Sequence, residues 1–176
     1  MERRPTFYIV PTDRWYIERA VWLIAGVFVL AATSLAVWLD SRFVLLITAT
    51  GLASINVSLN GFCIIGNILH RFGFRGALAE RGDSAKWYFM KTDRWYLERR
   101  IYLVVGFNLC LASILTLVHS RWWLAFPGFV GVAMLWFAVT GFCIMANALY
   151  WTGAEPRLVP EARRDAIGAC ATAPTI

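Results

Sequence analysis

Thr12-Asp13-Arg14-Trp15-Tyr16-Ile17-Glu18-Arg19 returns eighty residues later as Thr92-Asp93-Arg94-Trp95-Tyr96-Leu97-Glu98-Arg99. The same shift superposes Gly26 on Gly106, Gly51 on Gly131, Gly61-Phe62-Cys63-Ile64 on Gly141-Phe142-Cys143-Ile144, and Asn67 on Asn147. About 21 of 67 aligned positions are identical without a gap, which apolar composition alone hardly produces, so the chain reads as a duplication.

Each copy of the octapeptide is followed by two long apolar runs. A hydrocarbon core of about 30 Å takes about 20 helical residues, and the runs Ala20 to Leu39, Phe43 to Leu69, Ile101 to Val118 and Trp122 to Tyr150 approach or exceed that length without Asp, Glu, Lys or Arg. With 59% hydrophobic and 16% charged residues, the composition is that of an all-α membrane protein. The spacing predicts four transmembrane helices arranged as two tandem hairpins. Two crossings per copy give both copies the same orientation, related by a pseudo-twofold axis along the membrane normal. The first run begins some way into the chain and is too long for a signal-peptide core, so it is read as retained. The division expected is a first repeat over residues 1–73, a linker over 74–86, a second repeat over 87–153, and a Pro-containing, charged tail over 154–176 that is expected to be disordered.

Four crossings put both termini and the central loop on one side. That side collects Arg3, Arg4, Arg14, Arg19, Arg71, Arg75, Arg81, Lys86, Lys91, Arg94, Arg99, Arg100, Arg157, Arg163 and Arg164, whereas the other holds Arg42 and Arg121 in very short turns. The positive-inside rule makes the first side cytoplasmic. The net charge of +6 is therefore read as a topology signal and not as a nucleic-acid footprint.

Candidate chemistry is sparse. Asp13 and Asp93 stand where a helix start would be capped, and Glu18-Arg19 and Glu98-Arg99 open the first span of each copy at the cytoplasmic interface. A sharper reading lets Arg19 and Arg99 attract an anion or a lipid phosphate. Asn56, Asn60, Cys63 and Asn67 recur at helical spacing, which predicts a polar stripe on one face of a continuous second helix; Thr140, Cys143 and Asn147 continue it in the fourth, with Trp136 in place of the first Asn. Cys63 and Cys143 are candidate reactive thiols: a thiol at the interface near Arg19 would have a lowered pKa, and the two would share a depth across the axis. Cys110 and Cys170 have no counterparts in the other copy, and His70 and His119 are too far apart for one metal site. No P-loop, carboxylate pair or nucleophile elbow occurs, so no catalyst, metal or cofactor is expected.

Glu18-Arg19 with Gly26 and Gly61-Phe62-Cys63, and again Glu98-Arg99 with Gly106 and Gly141-Phe142-Cys143, resemble the YgaP-like transmembrane domain, a hairpin module of the bacterial inner membrane. The resemblance covers most of residues 12–73 and 92–153. The family pattern has Asp where Glu18 and Glu98 stand, a further basic residue at Trp22 and Tyr102, and Pro at Ile64 and Ile144. Some members carry a rhodanese domain, which moves sulfane sulfur; none is expected among these 176 residues. The resemblance therefore implies the membrane half of a sulfur-handling system, with the sulfurtransferase on a separate chain and the hairpins pairing through their helices.

Three functional readings follow. The first is a noncatalytic inner-membrane anchor or docking unit for cytoplasmic partners such as a sulfurtransferase. The second is a thiol-dependent channel or carrier for a small sulfur species or anion, which would need oligomerisation to enclose a path. The third is an accessory subunit of a larger respiratory or photosynthetic membrane complex.

Overall fold

The computed structural model describes residues 6–80 and 86–158. Its elements are α1 Ile17–Trp38, α2 Val44–Asn60, α3 Ile64–Arg71, α4 Leu97–Val118, α5 Ala125–Thr140 and α6 Ile144–Trp151. Among the described residues, four helical stretches are long and apolar enough to cross a membrane, Ile17–Trp38, Ser41–Asn60, Leu97–Val118 and Arg121–Thr140. The chain is a multi-pass membrane protein of two hairpins, α1 with α2 and α4 with α5.

The turns that close the hairpins are single 3-10 turns. Asp40 accepts a hydrogen bond from the Arg42 amide at 2.8 Å, and Ser120, its counterpart in the repeat, stands before the second turn and accepts from Trp122 at 3.4 Å. Short polar side chains compete well for such exposed amides, and this is why the apolar run breaks there.

At the other end the second helix of each hairpin is shorter than its apolar run. Gly61 and Gly141 both take φ 72, the left-handed conformation that ends a helix, and the chain restarts as α3 and α6. The runs Phe43 to Leu69 and Trp122 to Tyr150 are thus each two helices and not one. In α3 the exposed Ile64 and Ile68 lie four residues apart and the buried Gly66 and Asn67 lie on the other side, so its amphipathic course suits the membrane surface. The first helices start earlier than expected, so Glu18-Arg19 and Glu98-Arg99 sit inside α1 and α4.

The closest helix contacts run between the two copies. α1 packs chiefly on α5, and α4 chiefly on α2. A Cβ on Gly106 would lie 2.6 Å from the Gly51 carbonyl oxygen, and one on Gly26 would lie 3.1 Å from that of Gly131. Small residues let backbones meet in this way where lipid supplies no hydrophobic drive between helices. On the axis Trp22 and Tyr102, equivalent in the repeat, stack with ring centroids 4.5 Å apart and fill the centre. Gly106→Ala is expected to cost about 1–3 kcal/mol in a detergent unfolding assay, because its crowding comes partly from α2 backbone. Gly26→Ala should cost less, since its neighbours at 3.1 Å include the movable tip of Leu135. Equal effects would show that the two crossings are not differently tight.

Candidate functional site

All four residues of the Glu-Arg pairs are buried at the charged end of the bundle. Glu18 accepts hydrogen bonds from the Ala77 amide at 3.0 Å, the Leu78 amide at 2.6 Å and the Tyr88 hydroxyl at 2.9 Å. Glu98 accepts from the Arg157 amide at 3.1 Å, the Leu158 amide at 2.7 Å and the Tyr8 hydroxyl at 2.6 Å. Burial, with the nearby glutamate charge second, pushes both tyrosines well above the ordinary phenol pKa, so they keep their protons and donate. Each carboxyl therefore ties down the segment leaving its own copy's last helix and the tyrosine of the other copy.

Residues 154–158 are consequently ordered, with Ala154 and Leu158 buried, and the expected disordered tail does not begin at 154. Ligation by Glu98 holds this stretch. The rest of that tail, including Cys170, lies outside the described residues.

The arginines complete a different set of groups. An α-helix leaves its last four carbonyls without helical partners. At the end of α2, Val57 O accepts from the Gly61 amide at 2.9 Å, Ser58 O from Arg99 Nε at 2.6 Å and Leu59 O from Arg99 Nη2 at 3.3 Å. At the end of α5, Phe137 O accepts from the Gly141 amide at 2.9 Å, Ala138 O from Arg19 Nε at 2.6 Å and Val139 O from Arg19 Nη2 at 3.3 Å. Each Nη1 turns back to its own pre-helix segment, Arg19 to Thr12 O and Arg14 O, Arg99 to Thr92 O and Arg94 O. The guanidinium planes lie over Trp15 and Trp95, at 4.1 Å and 4.0 Å from the ring centroids.

The expectation that Arg19 and Arg99 attract an external anion is corrected by this arrangement. Their positive charge meets the negative ends of α5 and α2, and four of the five N–H groups of each are spent on backbone oxygens. The capping role expected of Asp13 and Asp93 is corrected as well. The residues at the starts of α1 and α4 are Tyr16 and Tyr96, and the amides of Ile17 and Leu97 donate to the carbonyls of Arg75 and Glu155. Asp13 instead pairs with Arg14 at 3.3 Å, and Asp93 with Arg157 at 2.6 Å.

The Asn-Cys stripe does not share one helix face, because the break at Gly61 divides it. Asn67 Nδ2 donates to Cys63 O at 2.8 Å and Tyr88 O at 2.9 Å, while its Oδ1 accepts the Tyr88 amide at 2.8 Å. Asn147 does the same with Cys143 and Tyr8, accepting the Tyr8 amide at 2.7 Å. A side-chain amide offers a donor and an acceptor at the spacing of a peptide, so each Asn pairs with an extended segment as a strand would. Asn56 donates to Phe62 O at 3.1 Å and accepts from Asn60 at 2.9 Å, and Thr140 accepts from the Phe142 amide at 3.2 Å. These side chains satisfy the break. Tyr8 and Tyr88 were missed because unlike residues separate them from the Thr12 and Thr92 blocks, although they match at the same shift.

Cys63 is buried, and its Sγ accepts the Gly66 amide at 3.2 Å at the start of α3. Burial pushes its thiol above the ordinary value, and the charge of Glu18 acts in the same direction. The lowered pKa expected from Arg19 is corrected: the guanidinium at the end of α2 belongs to Arg99, and its donors are engaged with Ser58 O and Leu59 O. Burial likewise raises the Cys143 thiol, which lines a groove between α4 and α5, so the two cysteines occupy different surroundings. Iodoacetamide at about pH 8 is expected to modify Cys63 in native membranes several-fold more slowly than free cysteine. The folded thiol keeps its proton where an unfolded one releases it. Its contribution to stability is thus full below the ordinary thiol pKa and is lost as pH rises through the raised value. Rapid alkylation of Cys63 near neutrality would contradict this environment.

Comparison of the chain with family models, with curated proteins and with solved structures finds no match.

Proposed function

We propose that the chain is a noncatalytic scaffold of the bacterial inner membrane, with both termini and the linker in the cytoplasm, and that its charged end is a platform for a cytoplasmic protein. The observation that carries this reading is the use of the Glu-Arg pairs. A buried charge in a membrane protein by default suggests a transport path, yet these carboxyls and guanidinium groups are spent on backbone amides and carbonyls, and stacked Trp22 and Tyr102 close the axis beneath them. Such a network stiffens extended segments and short helices into one surface.

Around that surface Phe7, Trp15, Trp87 and Trp95 are about half exposed and Phe72 is 78% exposed, interleaved with exposed Arg14, Arg71 and Arg94. Aromatic and arginine side chains together are the composition of protein-binding hot spots. The cytoplasmic placement rests on the concentration of Lys and Arg at this end. The resemblance to the YgaP-like hairpin makes a sulfurtransferase on another chain the first partner to seek. The protonated, buried Cys63 does not favour a carrier in which this thiol holds the sulfur.

The test is a photocrosslinking residue at Phe7 or Trp87 in the full chain in living cells. Adducts of discrete protein mass are expected at these positions and not at the lipid-facing Leu52. Adducts to lipid alone at all three would overturn the platform reading and leave the aromatics as an interfacial belt.

A further inference from the structure

Between α4 and α5 lies a groove of about 410 Å³, lined almost entirely by apolar side chains, among them Trp22, Phe126, Phe129, Trp136, Phe137 and Phe142. It opens sideways: Phe129, Val132 and Trp136 on its rim are each more than half exposed, in a helix that crosses the membrane. From Phe126 to Phe137 it follows α5 for eleven residues, or about 16 Å at 1.5 Å per residue.

One polar side chain from within the spans lines it. Asn108 sits eleven residues beyond Leu97, the first residue of α4. That is a rise of about 16 Å, close to the middle of a core about 30 Å thick. No hydrogen bond joins its side chain to any other described residue, whereas Asn56, Asn60, Asn67 and Asn147 are all bonded. An amide at that depth without a partner is costly, because hydrocarbon offers neither donor nor acceptor. The fold does not require it there: Phe28 occupies the equivalent position in the first repeat, and Trp136 stands where the first repeat has Asn56. The second repeat has thus gained an aromatic wall and a central amide on the same side.

We propose that this groove binds a membrane-dissolved molecule with a planar, carbonyl-bearing head and an apolar tail, the chemistry of a quinone. The Asn108 amide donates to the carbonyl, the aromatic walls stack on or edge against the ring, and the tail follows α5. The depth decides against a phospholipid. Its ester carbonyls stay at the interface, about 15 Å from the midplane, and cannot reach Asn108 while the headgroup remains in water. The mid-membrane amide needs a carbonyl that travels freely through the hydrocarbon.

The probe is a decyl-benzoquinone carrying an aryl azide, photolysed with the full chain in nanodiscs and mapped by peptide mass. Labelling is expected on residues 126–145, to saturate, and to be competed by decyl-benzoquinone without the azide. Asn108→Leu should weaken it about tenfold, the loss of one hydrogen bond worth about 1.4 kcal/mol, and Ala133→Phe, which fills the groove, should remove it. Asn108→Leu is expected to fold normally, since Phe28 serves at the matching site; its thermal unfolding is measured alongside. Labelling that rises without saturation, or that Asn108→Leu leaves unchanged, overturns the proposal. So does a chain that ignores the quinone but forms a dimer abolished by Asn108→Leu, which would make the groove a seam between copies. None of these outcomes bears on whether the charged end docks a protein.

Discussion

Arg99→Met is expected to destabilise the folded chain by about 3 kcal/mol or more, read as a loss of midpoint in a detergent-denaturant titration. The substitution keeps much of the apolar stem and removes the fork, so Ser58 O, Leu59 O, Thr92 O and Arg94 O all lose a charged donor. Hydrogen bonds to a buried charge contribute about 1.5–3 kcal/mol each, and the carbonyls left behind have little water to turn to. Arg19→Met should cost a similar amount, because Ala138 O, Val139 O, Thr12 O and Arg14 O are held in the same way. Arg99→Lys should recover only part of the loss, since one ammonium cannot span two helix-end carbonyls while stacking on Trp95. A lysine variant as stable as the parent would show that charge alone, and not the planar fork, closes the end of α2.

The second large effect is expected at the helix break. Gly61 combines a left-handed φ of 72 with a Cβ direction that runs into the carbonyl oxygen of Met90. Gly61→Ala should therefore cost about 2–4 kcal/mol: about 1–2 for the conformation and the rest for pushing the extended segment off the break, where the Met90 amide donates to Gly61 O at 2.9 Å. Gly141→Ala meets the Val10 carbonyl and should behave alike. Gly73→Ala separates the two terms, because Gly73 has φ 88 with nothing within 4 Å of the added carbon. If all three substitutions cost the same, crowding contributes nothing, and the pairing of Phe62 with Phe89 and of Ile9 with Phe142 is not what needs glycine there.

Both effects concern residues that stand out in the duplicated sequence. Glu18, Arg19, Gly61 and Asn67 attract notice because each returns eighty residues on. Their identities do not tell which backbone groups they serve. Arg19 read along the chain is a cation at a membrane entrance; folded, it closes α5, a helix more than a hundred residues away. Cys63 beside Asn67 read as a stripe on one helix; the left-handed Gly61 between them and Asn60 leaves Cys63 extended at the start of α3 and Asn67 within it. Tyr8 and Tyr88 carry no local signal of their importance, since a phenol donates to whatever acceptor the fold brings, and each receives the glutamate of the other copy.

By itself the sequence determined what depends on composition and on neighbours within a few residues. Four apolar runs must hide their backbone polar groups from lipid and so become helices, Asp40 and Ser120 start the tight turns, and an ungapped duplication makes two like hairpins. Only the tertiary structure decided which hairpin supplies the partner for each unsatisfied group. A helix end exposes carbonyls regardless of its side chains, and any arginine at the right height can take them. Satisfying them across the copies, Arg19 on α5 and Arg99 on α2, interlocks two hairpins into one bundle, because close packing of Gly26 on Gly131 and Gly106 on Gly51 places those helix ends within reach.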